Sequence, residues 1–268
     1  MSTARLSLPW GGHLAYRMTG SGPPLLLLHP VGLDGSWWCD YSAAFADRYQ
    51  VIAVDLRGHG RSSPIDGPVT LDQLAADVSF LLAEVATSRA QVIGVSLGGM
   101  VAQHLALRDP GSVAALVLCA TAGGFPQDLR PALRDRGRLD HQGMSGVIPA
   151  TLRRWFSPAG RAAAIGRSCE RTLSAADPAS WTAAWAAIAE LDTLSRLPQV
   201  AAPALVITGA QDTATPPAAA RELVAALPSA RLSVVEQAWH LGVFERPDPF
   251  LAAFTAFLDE VRGRCARA

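Results

Sequence analysis

The stretch Gln91-Val92-Ile93-Gly94-Val95-Ser96-Leu97-Gly98-Gly99-Met100 decides how this chain is read. Gln91–Val95 is an apolar run of strand length, and Met100–Leu107 continues with helical character. Between them stands Gly-x-Ser-x-Gly, with Ser96 at its centre. A strand that turns sharply into a helix forces the turning residue into strained backbone angles, which only small neighbours tolerate. Gly94 and Gly98 supply that room, and the turn lifts the Ser96 hydroxyl above the carboxyl end of the strand. A helix beginning at Leu97 also aims its positive N-terminal pole at any anion formed there.

Outward from this turn, Leu25–Leu28, Val51–Val54, Val113–Cys119, Ala204–Thr208 and Leu232–Val235 are likewise apolar without alternation. Strands of that kind are covered on both faces, as in a parallel sheet. Arg5–Leu8 and His13–Met18 read as a hairpin around Trp10-Gly11-Gly12. Thr70 is placed to N-cap a helix over Leu71–Ala86. Its stripe is Leu71, Leu74, Val78, Leu81, Leu82 and Val85, with Asp72, Asp77 and Glu84 on the other side. Pro249–Arg262 closes the chain as a further helix. The alternation predicts an α/β fold: a mostly parallel eight-stranded sheet with helices on both faces. From about Ala122 to Ser195 the alternation stops, leaving helical segments broken by Pro131, Pro149, Pro158 and Pro178. The expected division is a core of residues 1–121 and 196–268 with a helical cap, 122–195, inserted into it.

Composition narrows the function. The chain has 268 residues, half of them hydrophobic and 17% charged, enough for one large α/β domain with a substantial core. Twenty-three basic residues balance twenty-three acidic ones, so nucleic acid and anionic membrane are poor default partners. Every basic residue is Arg, which excludes a Schiff-base Lys, a Ser-Lys dyad and a P-loop Lys. Cys39, Cys119, Cys169 and Cys265 are far apart, so reduced thiols are expected rather than a disulfide scaffold or a zinc site. Met1–Trp10 alternates apolar and polar residues, unlike a secretory signal. Apolar runs such as Val113–Ala120 fall far short of the roughly 20 residues of a membrane helix. These features together predict a soluble, cytoplasmic protein.

A serine hydroxyl is inert at neutral pH, so Ser96 needs a base and an orienting acid. Among six histidines, His13 and His104 sit inside a predicted strand and helix, His141 in the helical insertion and His59 in the Asp55–Ser62 turn. His240 stands a few residues beyond the last strand, on the sheet edge where Ser96 emerges, and is the candidate base. Asp212 leaves the Ala204–Thr208 strand on that same edge and would hold the imidazole tautomer. The competing position, after Val113–Cys119, offers no carboxylate before Asp128. Oxyanion donors are expected from the Leu97 N–H and from the loop after the third strand. Pro30 has no N–H there, which leaves Val31. His29 reads as a hydrogen-bonded structural histidine under that loop.

These residues together resemble the α/β-hydrolase superfamily over nearly the whole chain. The resemblance rests on the Asp55–Ser62 turn, Gly94–Gly99, Gly209–Asp212 with Pro216-Pro217, and His240 followed by Glu245-Arg246-Pro247. The order Ser, Asp, His is also that of the superfamily. Within it, Leu28–Asp34, Arg154-Trp155-Phe156 and Asp212–Pro217 are similar to 3-oxoadipate enol-lactonases. Pro30 departs from the His-Gly pair common in the superfamily, without removing the donor at Val31.

The resemblance implies a cofactor-free, metal-free hydrolase of a small ester or lactone, working through an acyl-enzyme on Ser96. The same residues serve C–C bond hydrolysis or perhydrolysis on this fold, and a non-catalytic ligand-binding protein of the fold is a third reading. Epoxide hydrolases and dehalogenases use an Asp where this chain has Ser96. Arg130, Arg134, Arg136, Arg138, Arg153 and Arg154 against Asp135 and Asp140 make part of the insertion basic. Each of these Arg either faces solvent or pairs with a substrate carboxylate. Arg154 and Trp155 are the expected substrate contacts; the alternative for Trp155 is packing inside the cap.

Overall fold

Leu25, Leu26, Leu27 and Leu28 are all fully buried, which puts β3 (Pro24–Leu28) in the middle of a sheet covered on both faces. The computed structural model describes residues 3–265; Met1 and Ser2 of the N-terminal stretch and the Cys265 thiol lie outside what it describes. The other strands are β1 (Thr3–Ser7), β2 (His13–Thr19), β4 (Gln50–Asp55), β5 (Ala90–Val95), β6 (Val113–Cys119), β7 (Ala204–Gly209) and β8 (Ala230–Val235). They form one eight-stranded sheet in the order β1-β2-β4-β3-β5-β6-β7-β8. The β1–β2 and β2–β4 pairs are antiparallel and all others parallel.

Chain order reverses direction across the sheet at β3, because β4 lies on one side of it and β5 on the other. Leu28 pairs with Gly94, so the loops leaving β3 and β5 emerge side by side. In open parallel sheets such a switch point leaves a crevice beyond the carboxyl ends of the strands, where ligands bind. The sequence reading differs at the far edge. β8 was expected to be covered on both faces, yet Leu232 and Val234 are exposed. An edge strand has one neighbour, and here only part of its surface is packed.

Eleven α-helices accompany the strands among the described residues. α1 (Cys39–Phe45), α2 (Leu71–Val85), α3 (Leu97–Arg108), α9 (Pro217–Ala226), α10 (Gly242–Glu245) and α11 (Pro247–Cys265) belong with the sheet, and helices flank both of its faces. Thr70 and Gln73 close α2 with a capping box: the Gln73 N–H donates to Thr70 Oγ1, and the Thr70 N–H donates to Gln73 Oε1. Asp77 departs from its expected place on the polar side of α2. It is buried, accepting from Trp10 Nε1 at 2.7 Å and from the Arg57 guanidinium. A carboxylate is tolerated there because both oxygens are bonded to donors from outside the helix.

Between β6 and β7 the chain is helical: α4 (Arg130–Arg136), α5 (Met144–Trp155), α6 (Pro158–Ala162), α7 (Ala164–Ser174) and α8 (Pro178–Ala189). Its two ends meet. Gly124 and Asp192 form an isolated bridge, and the Thr193 N–H donates to the Gly123 carbonyl at 2.7 Å. Thr193 Oγ1 also donates to Gln103 Oε1 at 2.6 Å, tying both ends to α3. Among the described residues no helix is long and apolar enough to cross a membrane.

Candidate active site

Ser96 sits between β5 and α3 with φ 52° and ψ −114°, in the left-handed region that residues with a side chain rarely enter. Such a conformation costs on the order of 1–3 kcal/mol and persists only where neighbours hold it. The end of β6 does so from both sides. The Ser96 N–H donates to the Cys119 carbonyl at 2.9 Å, and Thr121 Oγ1 donates to the Ser96 carbonyl at 2.8 Å. The flanking glycines are explained by contact. A Cβ on Gly94 would stand 2.3 Å from the Gly98 carbonyl oxygen, and one on Gly98 would stand 2.2 Å from that of Leu28.

Ser96, His240 and Asp212 converge, although 144 residues separate Ser96 from His240. His240 Nε2 lies 3.0 Å from Ser96 Oγ, and His240 Nδ1 lies 2.9 Å from Asp212 Oδ2. With Asp212 ionised, Nδ1 carries the proton and donates it to the carboxylate. Nε2 is then left to accept from the serine hydroxyl. All three residues are buried. Burial alone would raise the Asp212 carboxyl pKa. The His240 imidazole, then the Thr215 N–H and hydroxyl, outweigh it and hold the group below its ordinary value. Thr215 is a contributor that the sequence reading did not single out. Its place three residues after Asp212, where a side chain and an amide both reach back, is the signal that would have found it.

Val31 and Leu97 are buried, and neither of their N–H groups has a hydrogen-bond acceptor among the described residues. Leu97 opens α3, where the first amides have no partner within the helix. Val31 follows β3, whose last residue, Leu28, lies against Gly98. Beneath that loop His29 uses both ring nitrogens: Nδ1 donates to the Pro30 carbonyl at 2.8 Å, and Nε2 accepts from the Leu56 N–H at 2.9 Å. Burial drops its pKa to about 4, so the ring is neutral and serves as a brace. His59 packs against it at 5.0 Å and is pushed down to about 3, by burial first and by His29 second.

The helical segment roofs the trio. Trp155 is buried with its ring 6.4 Å from that of His240, and its carbonyl accepts from the Leu241 N–H at 2.9 Å. Together with Ser96, Thr215 and His240 it lines a cavity of only about 20 Å³, walled also by Met100, Phe125, Leu133, Arg136, Trp185 and Ile188. Met100 is both buried and part of the cavity wall. Arg154, expected at the substrate, stands outside this wall. Its Nη2 donates to Thr151 Oγ1 at 3.3 Å, and Arg136 is the Arg that reaches the cavity. A recess of about 310 Å³ adjoins it and shares Phe125, Leu133, Arg136, Ala214 and Thr215. A larger cavity, about 630 Å³, lies elsewhere, beyond Gly32 and between Arg17, Asp55 and His59. None of Ser96, Asp212 and His240 lines it, so the candidate site is marked by the hydrogen-bonded trio rather than by volume.

The comparisons agree with this architecture. Residues 25–253 match the model of the alpha/beta hydrolase family, and the chain belongs to that family. The chain is 31% identical to 3-oxoadipate enol-lactonase 2 of Acinetobacter baylyi over 239 residues, 88% of each protein. It is similar to the crystal structure of a hydrolase from Pseudomonas aeruginosa PA01, with a TM-score of 0.90 and 33% identity over 96% of this chain and 98% of that one. It is also 32% identical, over 97% of its own length, to part of the polyketide synthase ThaQ of Burkholderia thailandensis. There it spans only 13% of the larger protein.

Proposed function

We propose that this protein is a cofactor-independent serine hydrolase of a small carboxylic ester or lactone, similar in substrate to the 3-oxoadipate enol-lactonases. The observation that carries the proposal is the unbroken relay from Ser96 Oγ through His240 to Asp212, at 3.0 and 2.9 Å. The relative named an enol-lactonase, matched over 88% of its length, supports the lactone side of the reading. Residues 122–195 then act as a cap, with 1–121 and 196–268 as the core that holds the chemistry.

In this reading Ser96 Oγ attacks the substrate carbonyl carbon while His240 Nε2 takes the hydroxyl proton. Negative charge moves to the carbonyl oxygen, where the Val31 and Leu97 N–H groups receive it. Both residues are buried and neither amide has a protein acceptor among the described residues, so they need little reorganisation. Collapse breaks the carbonyl–oxygen bond, and the imidazolium returns its proton to the leaving oxygen. An enol leaving group becomes a ketone, which makes the first half easy. Water, deprotonated by His240, then attacks the acyl carbon and releases Ser96. Asp212 keeps Nδ1 protonated throughout and stabilises each imidazolium as it forms.

The test is Ser96→Ala assayed on aryl esters and enol-lactones, with fluorophosphonate labelling of the unaltered protein. Loss of turnover by about 10⁴-fold or more is expected, as for other serine relays of this kind. Retained turnover overturns the proposal. Stoichiometric labelling without turnover would instead indicate the ligand-binding reading. A panel including peroxide and a C–C cleavage substrate separates the two related chemistries.

A further inference from the structure

Arg136 ends α4 in the wall common to the Ser96 cavity and the adjoining recess. Its guanidinium lies over the Trp185 ring at 5.6 Å, an aromatic face that also lines the cavity and holds the cation there. Three neighbouring arginines have acidic partners: Arg130 and Arg134 share Glu190, and Arg138 pairs with Asp135. Among the described residues Arg136 forms no ion pair and no hydrogen bond with an acid. Asp212 is committed to His240 and Thr215. Glu222, the acid at the outer recess, makes no pair with Arg136 either. Arg154 adds a second cation nearby; it too lacks an acidic partner, and its Nε is buried without a hydrogen bond. The Arg136 guanidinium therefore stands in the wall of the Ser96 cavity without a counter-charge among the described residues, and that of Arg154, outside the wall, likewise lacks an acidic partner. Such groups are costly unless an anion joins them.

We infer that Arg136 is a specificity-determining residue that binds a carboxylate on the acyl part of the substrate, with the scissile carbonyl at Ser96 and the acidic arm in the adjoining recess. This rests on the hydrolase reading above and adds the charge of the substrate to it. A planar carboxylate matches the fork of a guanidinium, two N–H groups to two oxygens. The apolar share of the lining, Phe125, Leu133 and Pro126, favours a monoanion over a dianionic phosphate, whose desolvation costs more. Placement on the acyl part follows from the two half-reactions. In an open-chain ester an anchor there holds the acyl chain both before and after the leaving group departs, whereas one on the alcohol acts only in the first; in a lactone the two parts stay joined throughout. The cavity over Ser96, at about 20 Å³, has room for little more than one water, so the rest of any substrate must extend into the recess past Arg136.

The experiment compares kcat/KM, by methanol release, for monomethyl esters of the butanedioic to octanedioic acids with methyl esters of the monocarboxylic acids of equal length. The wild-type protein should prefer the anionic ester by about ten- to hundredfold at one or more lengths, the value of one charge-assisted pair. Arg136→Gln should remove most of that preference and Arg136→Lys only part of it. Arg138→Gln, at an exposed arginine paired with Asp135, should leave it intact. Equal rates on both series in the wild type, or a preference that survives Arg136→Gln, overturns the inference. Adipate gives a readout independent of turnover: it should raise the Tm of the wild type and of Ser96→Ala but not of Arg136→Gln. Failure of Ser96→Ala to abolish hydrolysis removes the serine mechanism, and the adipate shift then still decides the Arg136 site. Neutral esters cleaved through Ser96, with no adipate shift, remove only the Arg136 inference.

Discussion

Thr215 donates to both oxygens of Asp212, its N–H to Oδ1 at 2.9 Å and its hydroxyl to Oδ2 at 2.8 Å. The Ala214 N–H adds a third bond, to Oδ1 at 2.8 Å. Oδ2 is the oxygen that meets His240 Nδ1, so Thr215 sets the rotation of the carboxylate that aims the imidazole. Thr215→Val keeps the shape and the amide but removes the hydroxyl. Its kcat/KM should fall about tenfold or more, the scale of one hydrogen bond to a buried charge. The Asp212 carboxyl should also titrate at higher pH. Because its folded pKa is depressed, the stability it contributes is lost as pH falls from the unfolded value through the folded one; in the variant the contribution should be smaller and its loss complete at a higher pH. Steady-state kinetics and acid unfolding curves measure both.

His29 and His59 make stability depend on pH in a second window. Each has a folded pKa below its unfolded value of about 6.5, near 4 and near 3 respectively. Below pH 6.5 the unfolded chain therefore binds protons that the folded chain refuses, and stability falls as pH drops. Each ring should contribute a slope of about 1.4 kcal/mol per pH unit until its folded pKa is reached. Denaturant unfolding between pH 7 and pH 4.5 should show this slope, and His59→Gln should reduce it. A flat profile would contradict the neutral pair.

Gly98 has no room for a methyl group, because the atom it would meet is the backbone oxygen of Leu28, which has little freedom to move. Gly98→Ala should lower stability by about 3 kcal/mol, at the upper end of overpacking costs. It should also reduce kcat, since the start of α3 carries the Leu97 amide. Gly111→Ala serves as the control: its nearest neighbour would be 3.6 Å away, and Tm should barely change.

Glu245, just beyond His240, accepts from the Ser157 N–H at 3.0 Å and from the Ser157 hydroxyl. With the bond from the Leu241 N–H to the Trp155 carbonyl, this ties the helical roof to the loop that carries the imidazole. Glu245→Ala should cost about 1–3 kcal/mol, leaving the two Ser157 donors without their acceptor. Faster amide exchange across α5 and α6 should accompany it, with KM rising more than kcat falls. Unchanged exchange there would mean the tie does not hold the roof.

Much of this was legible in the chain. Period and polarity located the strands and α2, because the hydrophobic effect acts on every residue of a run and leaves a repeated mark. The Ser96 turn was legible because its glycines are required by contacts within a few residues and with one adjacent strand. Asp77 was misplaced because a helical wheel records only the helix, while its donors, Trp10 and Arg57, come from elsewhere. β8 was misjudged because an apolar composition does not say whether a neighbour will cover the strand.

By itself the sequence determined the alternation of strands and helices, the strained serine turn, and three residue types placed just past strand ends. Those are local properties, set by side-chain periodicity and backbone sterics. Only the tertiary structure decided that Ser96, His240 and Asp212 meet within hydrogen-bond distance, that Trp155 roofs His240, and that Arg136 rather than Arg154 reaches the cavity. Those relations depend on distances between segments up to 144 residues apart, which no pattern along the chain encodes. Packing decides them, by leaving some polar groups satisfied and others, such as the Val31 and Leu97 amides, without a protein acceptor among the described residues.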